Sequence, residues 1–164
     1  MTPDELLPQV YEELRKLATS KLASEKPGLT LDATGLVHEV FLKLGGEKSF
    51  DSRTDYLKAA AMAMRRILVD RARARNAAKR GGGRRIELES GHLVDQGAEN
   101  YQALDEALSK LAEDHPHVAE LITLRYFGGL KRIECAEVLK VSERTADNWW
   151  AYGRAWLAVK LKET

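Results

Sequence analysis

The residues of this chain with the most potential for chemistry are its four histidines and its single cysteine. His38 and Glu39 begin like the metal-binding helix of a zinc protease, but Leu42 stands where the second histidine ligand must lie. The two histidines within residues 115–117 are too close together and too isolated to indicate a site. Cys135 has no obvious ligand partners. The sequence therefore predicts no metal centre.

Two glycine-containing segments also fail to match a phosphate-binding loop. Residues 45–49 lack the spacing and the Gly-Lys pair of such a loop, and the triple glycine at 81–83 follows no predicted strand. No catalytic constellation remains, so we expect a protein that is not an enzyme and that uses no cofactor.

Charge is balanced over the whole chain but is distributed unevenly along it. There are 26 basic and 25 acidic residues, yet Asp70 is the only acid between Arg65 and Arg85, and acids follow from Glu87 to Glu106. A basic block beside an acidic one indicates a contact with a polyanion next to a segment that avoids polyanions or mimics one. A merely solvated charged helix would have the same composition.

The cysteine count and the hydropathy pattern limit where the protein works. One cysteine cannot form an internal disulfide, and the N-terminus has no apolar signal core. No apolar run approaches the roughly 20 residues needed to span a bilayer. We expect a soluble cytoplasmic protein without membrane insertion.

The periodicity of apolar residues predicts an all-α protein made of two small helical domains. Apolar residues recur at helical spacing, and no segment alternates as a strand would. Asp32 is placed to cap a helix with one apolar stripe, and Ser52 to cap a longer helix that becomes arginine-rich. Glycines 81–83 should break that helix. We therefore expect domains at 1–78 and 102–164, joined by a flexible linker at 79–101.

The last two predicted helices have the pattern of a helix-turn-helix. Ala136 is small where the helices approach each other, and Ser142 can cap the second helix, which should run to about Lys162. The apolar stripe of that helix leaves Arg144 and Asn148 on the opposite side, as insertion into a major groove requires. A plain helical hairpin with a small residue at the crossing can imitate this pattern.

Several segments, in this order, resemble the extracytoplasmic-function (ECF) sigma factors, the shortest class of the sigma-70 family. The segments are 34–44 (TGLVHEVFLKL), 64–73 (MRRILVDRAR), 124–130 (LRYFGGL), 141–145 (VSERT) and 154–157 (RAWL). Such proteins keep only the second and fourth conserved sigma domains. The resemblance implies a sigma factor that binds core RNA polymerase and directs promoter-specific initiation, including promoter melting.

The resemblance also implies roles for residues of the first domain. The helix that matches residues 36–44 would dock on the polymerase through His38, Glu39 and Lys43, where His38 replaces the usual glutamine. The long helix and the loop before it would melt and hold the downstream promoter element, which needs cations for phosphates and a shaped surface for a displaced base. The candidates for this role are Arg53, Tyr56, Arg65, Arg66, Arg71 and Arg73.

The second domain would bind the upstream promoter element as duplex DNA. This chain has Lys140 where the family often has glycine. Trp150 and Trp156 are expected in the core, because aromatic residues at helical spacing mostly pack. The candidates for the upstream element are Lys131, Arg132, Ser142, Arg144, Thr145, Asn148 and Tyr152.

The expected partners are core RNA polymerase and promoter DNA, with an anti-sigma factor as a further possibility, and the free protein is expected to be a monomer. Two alternatives stay open. A conventional helix-turn-helix regulator would bind operator DNA without polymerase, usually as a dimer. A sigma-like decoy would bind polymerase or an anti-sigma factor without recognising DNA. The linker also allows the two domains to pack together and mask both DNA-binding surfaces.

Overall fold

The computed structural model describes residues 3–22, 33–45, 50–82 and 98–162. These residues form seven helices and no strand, which confirms the predicted all-α class. The helices are α1 (Pro3–Leu22), α2 (Ala33–Leu44), α3 (Arg53–Gly82), α4 (Ala98–Asp114), α5 (Pro116–Tyr126), α6 (Arg132–Leu139) and α7 (Glu143–Lys162).

Side-chain caps define where two of these helices begin. The backbone N–H of Asp55 donates to Ser52 Oγ at 3.1 Å, and the N–H of Thr145 donates to Ser142 Oγ at the same distance. Each serine oxygen thereby satisfies one of the donors that a helix leaves unpaired at its start. Both predicted serine caps are confirmed. The predicted cap at Asp32 lies outside the described residues.

Helix α3 continues past the predicted end of the first domain. It ends at Gly82 rather than near residue 78, so the first two of the three glycines predicted to break the helix belong to its last turn. Helix α4 likewise begins at Ala98, before the predicted start at 102. Residues 83–97 of the predicted linker lie outside the described residues, and the division into two domains stays a prediction.

The first three helices pack around the apolar stripe predicted for α2. Leu36, Val37, Val40 and Leu44 are buried, and α2 packs against both α1 and α3. The chain leaves α2 at Gly45, whose φ of +72° is the left-handed conformation that glycine adopts readily at a helix end. One face of α2 is therefore buried in the core, and the opposite face is exposed to solvent.

In the second half, α5 lies at the centre of the packing. Its side chains at 118, 119 and 121–124 are all buried, and α4, α6 and α7 pack around it. Helix α7 approaches α5 closely at Gly153, where an added Cβ would lie 2.9 Å from side-chain atoms of Val118 and Ile122. The absence of a side chain at Gly153 lets α7 lie directly against α5.

The two halves of the chain share one hydrophobic core. Helix α3 packs along α4 and also touches α5 and α6, and buried residues of both halves belong to a single cluster. The two halves are thus packed together, whereas masking of both DNA-binding surfaces stays a prediction. Within the described part of the chain, no helix is both long and apolar enough to cross a membrane.

Candidate nucleic-acid interface

Helices α6 and α7 form the predicted helix-turn-helix. Ala136 of α6 and Ala146 of α7 are both buried where the two helices pack. The turn between them contains Lys140, which has the left-handed φ of 60° and ψ of 46°. The N–H of Val141 donates to the carbonyl of Ala136 at 3.0 Å and closes the turn. Small residues and a left-handed residue thus set the angle between the two helices.

Replacing Lys140 with glycine is expected to stabilise the protein. A side chain in the left-handed conformation costs about 1–2 kcal/mol, whereas glycine loses about 0.5–1 kcal/mol of backbone entropy on folding. The free energy of unfolding should therefore rise by about 0.5–1 kcal/mol, as measured by urea denaturation.

The matched control is Glu137→Gly, in the exposed interior of α6. Glycine there should lower the free energy of unfolding by about 1 kcal/mol, because the helical conformation does not need it. A destabilised Lys140→Gly protein would show that the left-handed residue is not a source of strain.

The outward face of α7 presents polar side chains. Arg144 and Asn148 are exposed one turn apart, and Tyr152 follows at the next turn with 46% of its surface exposed. Thr145 is half-buried, and its hydroxyl accepts a hydrogen bond from Ser142 at 3.1 Å. Of the predicted residues on this helix, Arg144 and Asn148 are thus the best placed to reach the edges of bases.

Tyr152 and Trp149 of α7 contact the start of α5. The hydroxyl of Tyr152 lies 3.2 Å from His115 Nε2, and the Trp149 ring stacks on His117 with centroids 5.6 Å apart. Trp149, Trp150 and Trp156 all pack against the core in part, as predicted for the latter two. These contacts brace the α4–α5 junction against α7.

An open groove beside the helix-turn-helix is lined by three basic side chains. Lys131 and Arg132, at the start of α6, line it together with Arg125 and Trp150. The Arg125 guanidinium lies 4.3 Å from the centroid of the Trp150 ring, a cation–π distance, while Arg132 pairs with Asp147 at 3.4 Å. Sequence reasoning had not singled out Arg125, because no local pattern reveals that α5 brings it to this groove.

The free face of α2 contains the residues predicted to bind polymerase. His38, Glu39 and Lys43 are all exposed on the side opposite the buried stripe. Leu42 lies among them with 73% of its surface exposed, although the sequence analysis did not select it. A single exposed leucine is normal on a protein surface, so Leu42 by itself does not identify a partner for this face.

The residues predicted for the downstream element do not form one open surface. Arg66 is exposed and Arg71 is half-buried, but Arg65 is only 13% exposed. Tyr56 is fully buried, edge-on to Phe50, and its hydroxyl has no hydrogen-bond partner among the described residues. Burial raises the pKa of Tyr56. In this conformation Tyr56 belongs to the core.

The other two arginines of this set pair with acidic side chains. Arg53 forms ion pairs with Glu13 of α1 and with Glu134 of α6. Arg73 lies 3.6 Å from a carboxylate oxygen of Asp105 in α4. The basic surface of α3 is therefore partly neutralised by the rest of the chain.

Cys135 is buried in α6 and is poorly suited to chemistry. Burial raises the pKa of its thiol to about 11, and nearby Arg125 offsets this only in part. Because the thiolate is the reactive form, Cys135 is expected to be inert at neutral pH.

This protein is thus all-helical, with a helix-turn-helix (α6 and α7) in its second half and an exposed polar face on α2 in its first half. The family model described as ECF sigma factor matches residues 2–163. The chain therefore belongs to the ECF sigma factor family, as the sequence resemblance indicated, and with it to the sigma factors that bind RNA polymerase and DNA in transcription initiation. No curated protein and no solved structure matches the chain significantly.

Proposed function

We propose that this protein binds core RNA polymerase through α2, selects promoters by their upstream element through α7, and helps to melt the downstream element through α3. The observation that carries the proposal is the pair of outward polar faces on α2 and α7, one in each half of the chain. Two such surfaces on one chain suit a protein that connects an enzyme to DNA. The chemistry of RNA synthesis then belongs to the polymerase.

The upstream element is assigned to the second half. Arg144 and Asn148 would contact base edges, since arginine pairs with guanine and asparagine with adenine in the major groove. Lys131, Arg132 and the newly identified Arg125 would lie near phosphates, which position a protein without reading sequence. Ser142, Thr145 and Tyr152 complete the proposed surface.

The downstream element is assigned to α3 and the start of that helix. Arg66 and Arg73 are the exposed members of the predicted set, although Arg73 is paired with Asp105. Arg53, Arg65 and Tyr56 would contribute only after the helix has separated from its present neighbours. Melting would therefore follow a rearrangement of the protein.

The proposal is tested by measuring binding to purified core polymerase. The wild-type protein should form a one-to-one complex, and Glu39→Lys should weaken it at least tenfold by reversing a charge at the centre of the α2 face. The matched control, Glu12→Lys, makes the same change at an exposed position of α1 and should leave the affinity within twofold. Circular dichroism checks that both variants fold.

Measuring duplex-DNA binding and oligomeric state alongside core binding separates the alternatives. A protein that binds duplex DNA as a dimer but does not bind core polymerase would be a conventional regulator. Tight binding to core without any salt-dependent selection of DNA by the complex would identify a decoy. A monomer whose sequence-selective DNA binding appears with core enzyme supports the proposal.

A further inference from the structure

The carboxylate of Asp105 in α4 lies between two arginines of the basic helix α3. One of its oxygens accepts a hydrogen bond from Arg65 Nε at 2.6 Å, and the other lies 3.6 Å from Arg73 Nη2. Arg65 and Arg73 are two turns apart on α3, and both are candidates for binding DNA phosphate. A single acidic side chain thus engages two cations of the proposed DNA surface.

Arg65 is enclosed by the second half of the chain. Besides the Asp105 carboxylate, its guanidinium donates to Thr123 Oγ1 at 3.1 Å, to the Asp105 carbonyl at 3.2 Å and to Ser109 Oγ at 3.4 Å. Its two terminal nitrogens and Nε are all engaged, and the side chain is only 13% exposed. A guanidinium held in this way cannot reach a phosphate.

Acidic residues of the second half pair with α3 at two further positions. Glu134 of α6 lies 3.1 Å from Arg53, and Glu120 of α5 lies 3.0 Å from Lys58. Three acids from three different helices therefore face the cations of α3. The arrangement has the charge complementarity of a nucleic-acid complex, with carboxylates in the place of phosphates.

Close backbone packing, a hydrogen bond and a cation–π contact also hold the two halves together. A Cβ added to Gly128 would lie 2.6 Å from the Cβ of Ala61 on α3, so the backbones approach each other closely there. At the end of α1, the Tyr101 hydroxyl donates to the carbonyl of Lys21 at 3.0 Å, and Lys21 Nζ lies 3.3 Å from the centre of the Tyr126 ring. The closed arrangement is therefore a packed interface.

The recognition helix does not take part in this interface. Among the described residues, α7 packs against α4, α5 and α6 and makes no contact with α1, α2 or α3. The outward face of α7, with Arg144 and Asn148, is left uncovered by the first half. Packing of the two halves therefore encloses Arg65 and engages Arg73 on α3 but leaves the outward face of α7 uncovered, so only one of the two surfaces expected to be masked is engaged.

We propose that α4 is a built-in inhibitor of α3, in which Asp105 occupies Arg65 and Arg73 in place of DNA phosphates. The closed protein cannot take up single-stranded DNA on α3 until α4 moves away, although α7 stays available to duplex DNA. The assignment of α3 to DNA rests on the proposed function. Core polymerase would favour the open form by binding it more tightly than the closed one.

The test compares Asp105→Lys with Glu106→Lys in the full-length protein without polymerase. Both variants replace one acid on adjacent positions of α4, and Glu106 is exposed. The probe is a fluorescent single-stranded DNA oligonucleotide of mixed sequence at fixed salt. Asp105→Lys should bind it at least tenfold more tightly than Glu106→Lys, because only the former releases Arg65.

A distance measurement shows whether the gain in DNA affinity comes from separation of the two halves of the chain. Spin labels are attached at Lys16→Cys in α1 and Val159→Cys in α7, both exposed positions, while the buried Cys135 stays unlabelled. The otherwise wild-type protein should give one narrow distance distribution, and Asp105→Arg a longer and broader one. Adding Arg65→Asp to Asp105→Arg should restore the short distance by exchanging the two charges.

Equal DNA affinities for Asp105→Lys and Glu106→Lys, or an unchanged label distance in Asp105→Arg, would overturn the inhibition. If the lysine variant fails to fold, Asp105→Asn against Glu106→Gln gives the same comparison with a smaller change. Failure of the proposed function is distinguishable, because it would appear as a lack of core binding in a protein that still opens.

Discussion

Replacing both Arg144 and Asn148 with alanine is expected to lower the affinity of the polymerase complex for its preferred promoters by about 100-fold or more. Each well-placed contact to a base contributes about 1–3 kcal/mol of discrimination, and both side chains lie on the exposed face of α7. Affinity for unrelated DNA should change much less, because phosphate contacts supply it. Competition binding at constant salt measures both quantities.

Lys162→Ala is the matched control for this double substitution. The substitution removes one positive charge from the same helix, as the double variant does. Lys162 lies on the same side of α7 as Arg144, about 27 Å further along the helix axis. Promoter affinity should stay within about twofold. Equal losses in the two variants would show that α7 contributes charge and not sequence recognition.

Replacing Phe127 with alanine is expected to lower the free energy of unfolding by about 3–5 kcal/mol. Phe127 is fully buried at the end of α5, with its ring centroid 4.9 Å from that of Tyr126 and 6.0 Å from that of Tyr101. Truncation removes this packing and leaves a cavity. Because the side chain belongs to the core shared by both halves, urea denaturation should show the loss in one cooperative transition.

Leu42→Ala provides the comparison for this prediction, since Leu42 is 73% exposed. Its effect on the free energy of unfolding should lie within about 0.5 kcal/mol. A Phe127→Ala protein that loses less than about 1 kcal/mol would mean that the shared core does not form in solution.

The local features of the fold could be predicted because a few neighbouring residues determine each of them. Ser52 and Ser142 cap helices with their own side chains, and the stripe from Leu36 to Leu44 is buried because its spacing matches one helical face. The outward position of Arg144 and Asn148 follows from the same periodicity. These predictions needed no knowledge of distant contacts.

The docking of the two halves could not be predicted in the same way. Arg65 and Asp105 are 40 positions apart, and nothing near either residue indicates that they meet. The basic and acidic blocks did show the complementarity that joins them, but the same charges are equally consistent with solvent or with DNA. Tyr56 lies in the core for a similar reason, because burial on α3 depends on what packs over it.

A closed protein reconciles the family assignment with this structure. Sigma factors bind DNA together with polymerase, and a basic helix that is free at all times would bind any nucleic acid in the cell. Engagement of Arg65 and Arg73 by Asp105 would suppress such binding. The opening would then be coupled to the binding of polymerase, as the population-shift argument requires.

Direction of polymerase to particular promoters by this chain is tested most directly by adding the purified protein to core RNA polymerase and mapping transcript starts on a genomic DNA library. Discrete start sites that share two sequence elements at fixed spacing, and that weaken with Arg144→Ala/Asn148→Ala but not with Lys162→Ala, are the predicted result. Starts no different from those of core enzyme alone, obtained while the protein is bound to core, would contradict the account.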